Sequence, residues 1–202
     1  MRLILTALIS LLPAVCQGFD WPLEDTAVDR LLREQSKEYR FMAEEVAQRQ
    51  GYSIETSEEP TLGDVTVRNG RAMIRLNPTL KGARRITVLI WEMANAYQRP
   101  RFDEIDRRAR TGVIQSHVEF GLRMEMVEYD SFRHHRRVLE DLQTALVPIT
   151  PDYLFFINPG LPGLEAYEIP YVHDYIEAQG TSGHTRHYER WYYHQIGQSP
   201  PF

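Results

Sequence analysis

The chain has 202 residues, with 23 basic residues against 28 acidic ones and a formal net charge of −5. That mild, evenly spread charge carries no nucleic-acid footprint, and the length fits one domain with a core of ordinary size. Cys16 is the only cysteine, so no intrachain disulfide is possible and the fold must stand on its core.

The N-terminal residues read as a secretory signal. Arg2 supplies a positive end, residues 3–12 an apolar run, and Pro13 a break before small residues at cleavage spacing. The run is too short to span a bilayer, which takes roughly 20 residues. A signal peptide over 1–18 and a single domain over 19–202 follow, with the mature protein periplasmic or extracellular and beginning at Gln17 or Phe19. Val15 and Pro13 stand where a lipoprotein signal around Cys16 would want a small residue and a leucine-like one. No later segment is apolar enough to cross a membrane.

Residues 26–50 carry Val28, Leu31, Leu32, Tyr39, Met42 and Val46 at three- and four-residue steps, the pattern of one long amphipathic helix that Gly51 ends. Residues 52–56 fit a short strand. Residues 64–68 and 71–77 flank Asn69-Gly70, the dipeptide best suited to the positive φ angles of a tight hairpin turn. Next comes a helical pattern over 86–98. Ile86, Leu89, Ile90, Met93 and Tyr97 make one apolar face, and Arg85, Val88, Glu92, Asn95 and Arg99 follow the neighbouring face. Glu92 is thereby placed at the border of a core. Pro100 is expected to end this helix, and residues 101–112 to form a solvated loop or short surface helix of mixed charge.

Residues 115–146 lack proline and read as a long helix bearing Glu119, Glu125, Glu128 and Asp130. Glu119 with Arg123, and Glu140 with Arg136 or Arg137, have the spacing of helix-surface ion pairs. His134 and His135 are expected at the surface, since adjacent side chains on a helix point about 100° apart and do not easily serve one site. From Pro148 to Tyr175, prolines alternate with aromatics, as in segments that wrap an existing core. The last pattern, residues 184–194, brings His184, His187, Trp191 and His194 to one helical face. It offers His184 and His187 as a two-ligand metal site, packing, or a partner surface. The mature chain has no thiol, and the sequence has neither a Gly-x-Ser-x-Gly elbow nor a phosphate-binding loop.

The hairpin, the short connection and the helix reading Leu-Ile-Trp-Glu-Met-Ala-Asn-Ala-Tyr-Gln over 89–98 resemble the core of zincin-type metallopeptidases of the gluzincin kind, over residues 64–140. That family carries His-Glu-x-x-His on this helix, often followed by Ala-x-Gln, with two zinc-binding histidines and a glutamate general base. Glu92, Ala96 and Gln98 keep the pattern, while Trp91 and Asn95 replace the histidines. The resemblance implies Glu92 as candidate general base, a cleft around Trp91, Asn95 and Glu128, and Glu128, then Glu125, at the position of a downstream glutamate ligand. Trp cannot coordinate a metal, and Asn offers only a hard oxygen donor.

The expected fold is α+β and mostly helical: a small antiparallel hairpin or sheet on a zincin-like helical core, with a long downstream helix and an aromatic-rich C-terminal wrap. The leading expectation for function is a secreted pseudopeptidase without cofactor that binds a protein or peptide in the inherited cleft, with no nucleic-acid partner and no membrane span. One alternative is a hydrolase with zinc or another divalent metal in a rebuilt site, drawing on Glu128, Glu125, Asn95, His184 or His187, and Glu92 as base. The other is a secreted helical interaction protein unrelated to zincins. Trp91 discriminates among them. An indole in the ligand space makes the cleft a hydrophobic pocket, and one turned into the core leaves a polar hollow between Glu92, Asn95 and Glu128.

Overall fold

A computed structural model describes residues 24–56, 62–147, 149, 169 and 171–201. The expected signal segment, with Cys16, and most of the proline-aromatic stretch lie outside these residues. The described chain is α+β and mostly helical. In order come α1 (Asp25–Gln35), α2 (Lys37–Arg49), β1 (Tyr52–Thr56), β2 (Gly63–Arg68), β3 (Arg71–Leu76), α3 (Gly82–Arg110), α4 (His117–Thr144), α5 (Val172–Ser182) and α6 (His184–Gln195).

The single helix expected over 26–50 is two helices, because Ser36 leaves helical geometry and caps α2. Its Oγ accepts from the Tyr39 amide at 3.0 Å and donates to Asp141 Oδ2 at 2.9 Å, and the Glu38 amide donates to the same carboxylate at 3.0 Å. The partner that makes this break favourable therefore sits near the far end of α4.

The hairpin forms as expected. Asn69 (φ 54°) and Gly70 (φ 73°) both occupy the left-handed region that a two-residue turn matching strand twist requires. The small sheet is mixed, not purely antiparallel: the order is β1-β3-β2, with β1 parallel and β2 antiparallel to β3. Strand β3 is thus central and β2 is an edge.

Helix α3 is the centre of the molecule. Nine consecutive residues, 86–94, are buried, so this stretch of the helix has neighbours on all sides and Glu92, at the border of the core, is covered along with its apolar neighbours. The main cluster packs Ile86, Leu89, Ile90 and Met93 against β3 and α1, α2 and α4 residues such as Leu32, Met42, Ile74 and Val138. A second cluster joins Trp91 to Tyr129, Phe132, Ile169, Tyr175 and Ala178, and a third gathers Ile105, Phe120, Met124 and Tyr192.

Pro100 does not end α3, which runs on to Arg110 and turns the expected connector into helix. A proline removes the amide that would serve the carbonyl four residues earlier, here Ala96. Arg49 of α2 supplies the missing donor, its Nη2 lying 2.7 Å from the Ala96 oxygen. Arg49→Ala is expected to cost about 1–3 kcal/mol in urea denaturation, as befits loss of a charged hydrogen bond to a part-buried carbonyl. Adding Pro100→Ala, which restores the amide, should recover part of it; a double variant no more stable than the single one would contradict this account.

His135 is buried, contrary to the surface expectation. Its Nε2 lies 3.2 Å from the Thr87 carbonyl oxygen, its ring meets Trp91 edge to face at 5.8 Å, and burial lowers its pKa to about 4. His134 is also largely covered, with Nδ1 2.6 Å from Glu38 Oε1. The reason is that α4 packs against α3 on one side and α1 and α2 on another, so both adjacent positions meet protein. The ion pairs Glu119–Arg123 and Arg136–Glu140 are present as expected. Among the described residues, no helix is long and apolar enough to cross a membrane.

Candidate functional site

Edge strand β2 runs beside α3 at the level of Glu92. This approach requires Gly63, where a Cβ would meet Val88 Cγ1 at 2.8 Å and Glu92 Cγ at 2.9 Å. Beyond this contact α3, α4 and α6 diverge, leaving a cleft of about 770 Å³. Leu62, Gly63, Asp64 and Val65 border it on the sheet side. Trp91, Glu92, Asn95 and Glu128 line it on α3 and α4, and His184, His187 and Tyr188 on α6. The residues singled out from the sequence therefore gather around one hollow, except Glu125, which lies behind it and touches His184.

Trp91 answers the question the sequence left open. Trp91 is 7% exposed and belongs to the Tyr129, Phe132 and Tyr175 cluster, so it borders the cleft from the core side, and the hollow sets Glu92, Asn95 and Glu128 among apolar walls that include Leu62, Val65, Phe102 and Met124. Glu92 is 6% exposed, and burial pushes its carboxyl up to about 8. The Asn95 amide, donating to Glu92 Oε2 at 3.4 Å, works against that shift, while the negative charges of Glu128 and Asp64 add to it. At neutral pH Glu92 is therefore a neutral acid that can donate a hydrogen bond. Asn95 Oδ1 is buried with no hydrogen-bond partner.

Behind Glu92 is a polar network built from α4, α5 and α6. Glu128 Oε2 accepts from Tyr175 at 3.2 Å and Oε1 from Tyr188 through a short hydrogen bond. Gln179 donates to the Tyr175 hydroxyl at 3.0 Å and lies 3.2 Å from His184 Nδ1. His184 Nδ1 is 3.0 Å from Glu125 Oε1, which also accepts from Thr185, and His184 Nε2 is 3.9 Å from Glu128 Oε2. Burial alone would lower the His184 pKa, but the Glu125 hydrogen bond and the two carboxylate charges raise it to about 8. Glu128 is shifted upward, chiefly by burial, against the pull of His184.

The two histidine positions of the resemblance, Trp91 and Asn95, do not fit a zinc ion. Indole nitrogen is a donor without a free lone pair, Trp91 is packed in an aromatic cluster, and the Asn95 amide is turned to Glu92. A different group, Glu125, Glu128 and His184, presents one donor atom each within 4.8 Å of one another and could hold a metal ion. His187 stands on the cleft wall outside that group. Sequence reasoning did not single out Tyr175, Gln179, Thr185 or Tyr188; only the docking of α5 and α6 onto α4 gives them their roles. No protein-family model, curated protein or solved structure matches the chain.

Proposed function

We propose that the chain is an exported zincin-like domain that binds an extended peptide or protein segment in the Glu92 cleft without zinc-dependent hydrolysis. The observation that carries this reading is the pairing of an edge strand with a neutral buried acid on one hollow. An edge strand presents unpaired backbone groups to which an extended chain can add. Protonated Glu92, on the wall of the cleft, offers a donor to an arriving peptide unit. Export rests on Arg2 and the apolar run after it, and the zincin relation on the strand, helix and Glu92 pattern.

Panning a random-peptide display library against the full-length chain tests this. Recovered peptides should bind Glu92→Gln, which keeps a donor, and lose at least tenfold in affinity for Glu92→Ala. Equal binding to wild type and to a folded Glu92→Ala variant would sink the cleft reading. The hydrolase alternative draws support from the donor group behind Glu92 and requires an ionised base. It predicts a chelator-sensitive peptidase activity that Glu92→Gln abolishes.

A further inference from the structure

Glu125 is fully buried, yet only one of its oxygens is satisfied. Oε1 takes both His184 and Thr185, while Oε2 is sealed from solvent with no hydrogen-bond partner. An ion pair with His184 alone therefore does not account for this carboxylate, because an unmatched buried acceptor is costly. Glu128 is held at both oxygens by Tyr175 and Tyr188, and each oxygen retains a lone pair. Such outer hydrogen bonds commonly orient carboxylate and imidazole ligands. The His184 side chain is 37% exposed, which leaves an entry path from the cleft.

We propose that Glu125, Glu128 and His184 form a binding site for one divalent transition-metal cation of the zinc or manganese type. The donor atoms lie within 4.8 Å of one another, and ligands about 2.1 Å from a metal stand roughly 3–4.2 Å apart, so a small side-chain contraction closes the site. One imidazole with two carboxylates selects first-row cations over calcium, which seeks six to eight oxygens, and favours zinc over manganese in affinity. Water completes the coordination from the cleft side. The cation replaces the His184–Glu125 ion pair and gives Glu125 Oε2 or Oε1 a partner. This site avoids Trp91 and Asn95, keeps Glu128 from the positions the resemblance implies, and opens onto the same cleft, although it does not rest on the peptide-binding reading.

The test is calorimetric titration of the metal-free, tag-free full chain with zinc and manganese chloride, with calcium and magnesium for comparison and thermal melting as a second readout. Zinc should bind at one per chain, more tightly than manganese and far more tightly than calcium or magnesium, and should raise the melting temperature. Glu125→Gln and His184→Ala should each weaken zinc at least tenfold, while His173→Ala, whose side chain is exposed and paired with Asp174, should not change it. Absence of saturable zinc or manganese binding by wild type overturns the proposal, as does unchanged affinity in both folded variants. If the variants fail to fold, the cobalt-loaded wild type decides. A visible ligand-field band at one cobalt per chain supports the site, and its absence overturns it.

Discussion

Glu92→Gln is expected to make the protein more stable in mild alkali, by up to ~5 kcal/mol, and to leave it no more stable at pH 4.5. Glu92 has an ordinary pKa of 4.5 and is pushed to about 8 in the fold. Between those values the folded chain holds a proton that the unfolded chain has released, so wild-type stability falls as pH rises and levels off above about 8. The rise from 4.5 to about 8, at roughly 1.4 kcal/mol for each tenfold change in proton affinity, sets the upper figure. His135 acts in the opposite sense. Its pKa falls from 6.5 to about 4, so the stability it carries is present above 6.5 and is lost as pH drops towards 4. In wild type the two slopes oppose one another between 4.5 and 6.5. His184, raised to about 8, adds a smaller loss between 6.5 and 8 because a third of its side chain meets solvent. Urea denaturation of both proteins at several pH values isolates the Glu92 share as their difference. Parallel profiles would mean that Glu92 is ionised in the fold.

The second large effect is expected at Trp91. Trp91→Ala should destabilise the protein by about 3–5 kcal/mol, the cost of opening a large cavity in a packed aromatic cluster. The indole contacts His135 and the cluster formed by Tyr129, Phe132, Ile169, Tyr175 and Ala178, which joins α3 to α4 and α5. Trp91→Phe should cost clearly less. If the indole instead filled the cleft as a lid over an open hollow, removing it would cost under about 1 kcal/mol, as surface substitutions do. Equilibrium denaturation of the two variants separates these outcomes.

What the sequence discloses here is what depends on neighbours in the chain. Asn69-Gly70 sets its hairpin through local backbone angles, and α4 follows from a proline-free stretch rich in Glu, Arg, Met and Leu that ends near Thr144. What it hides depends on distant partners. Ser36 breaks a continuous helical pattern because Asp141 rewards the break, and Pro100 fails to end a helix because Arg49 serves the orphaned carbonyl. His135 is concealed for a similar reason: charged neighbours on both sides read as a surface, while the packing of α3 onto α4 buries it. The site divides along the same line. Trp91, Glu92 and Asn95 share one helix turn and were identifiable together. The link from Glu125 and Glu128 to His184 spans about 60 residues and exists only where α6 docks on α4. No spacing rule reaches that far.

An extended peptide lying in the Glu92 cleft along strand β2 would slow amide hydrogen exchange there, measured with a panned peptide present and absent. New protection is expected in β2, Gly63–Arg68, and in the Glu92 turn of α3, with the remaining helices unchanged. Protection confined to other surfaces, with β2 exchanging as it does in the free protein, would contradict it.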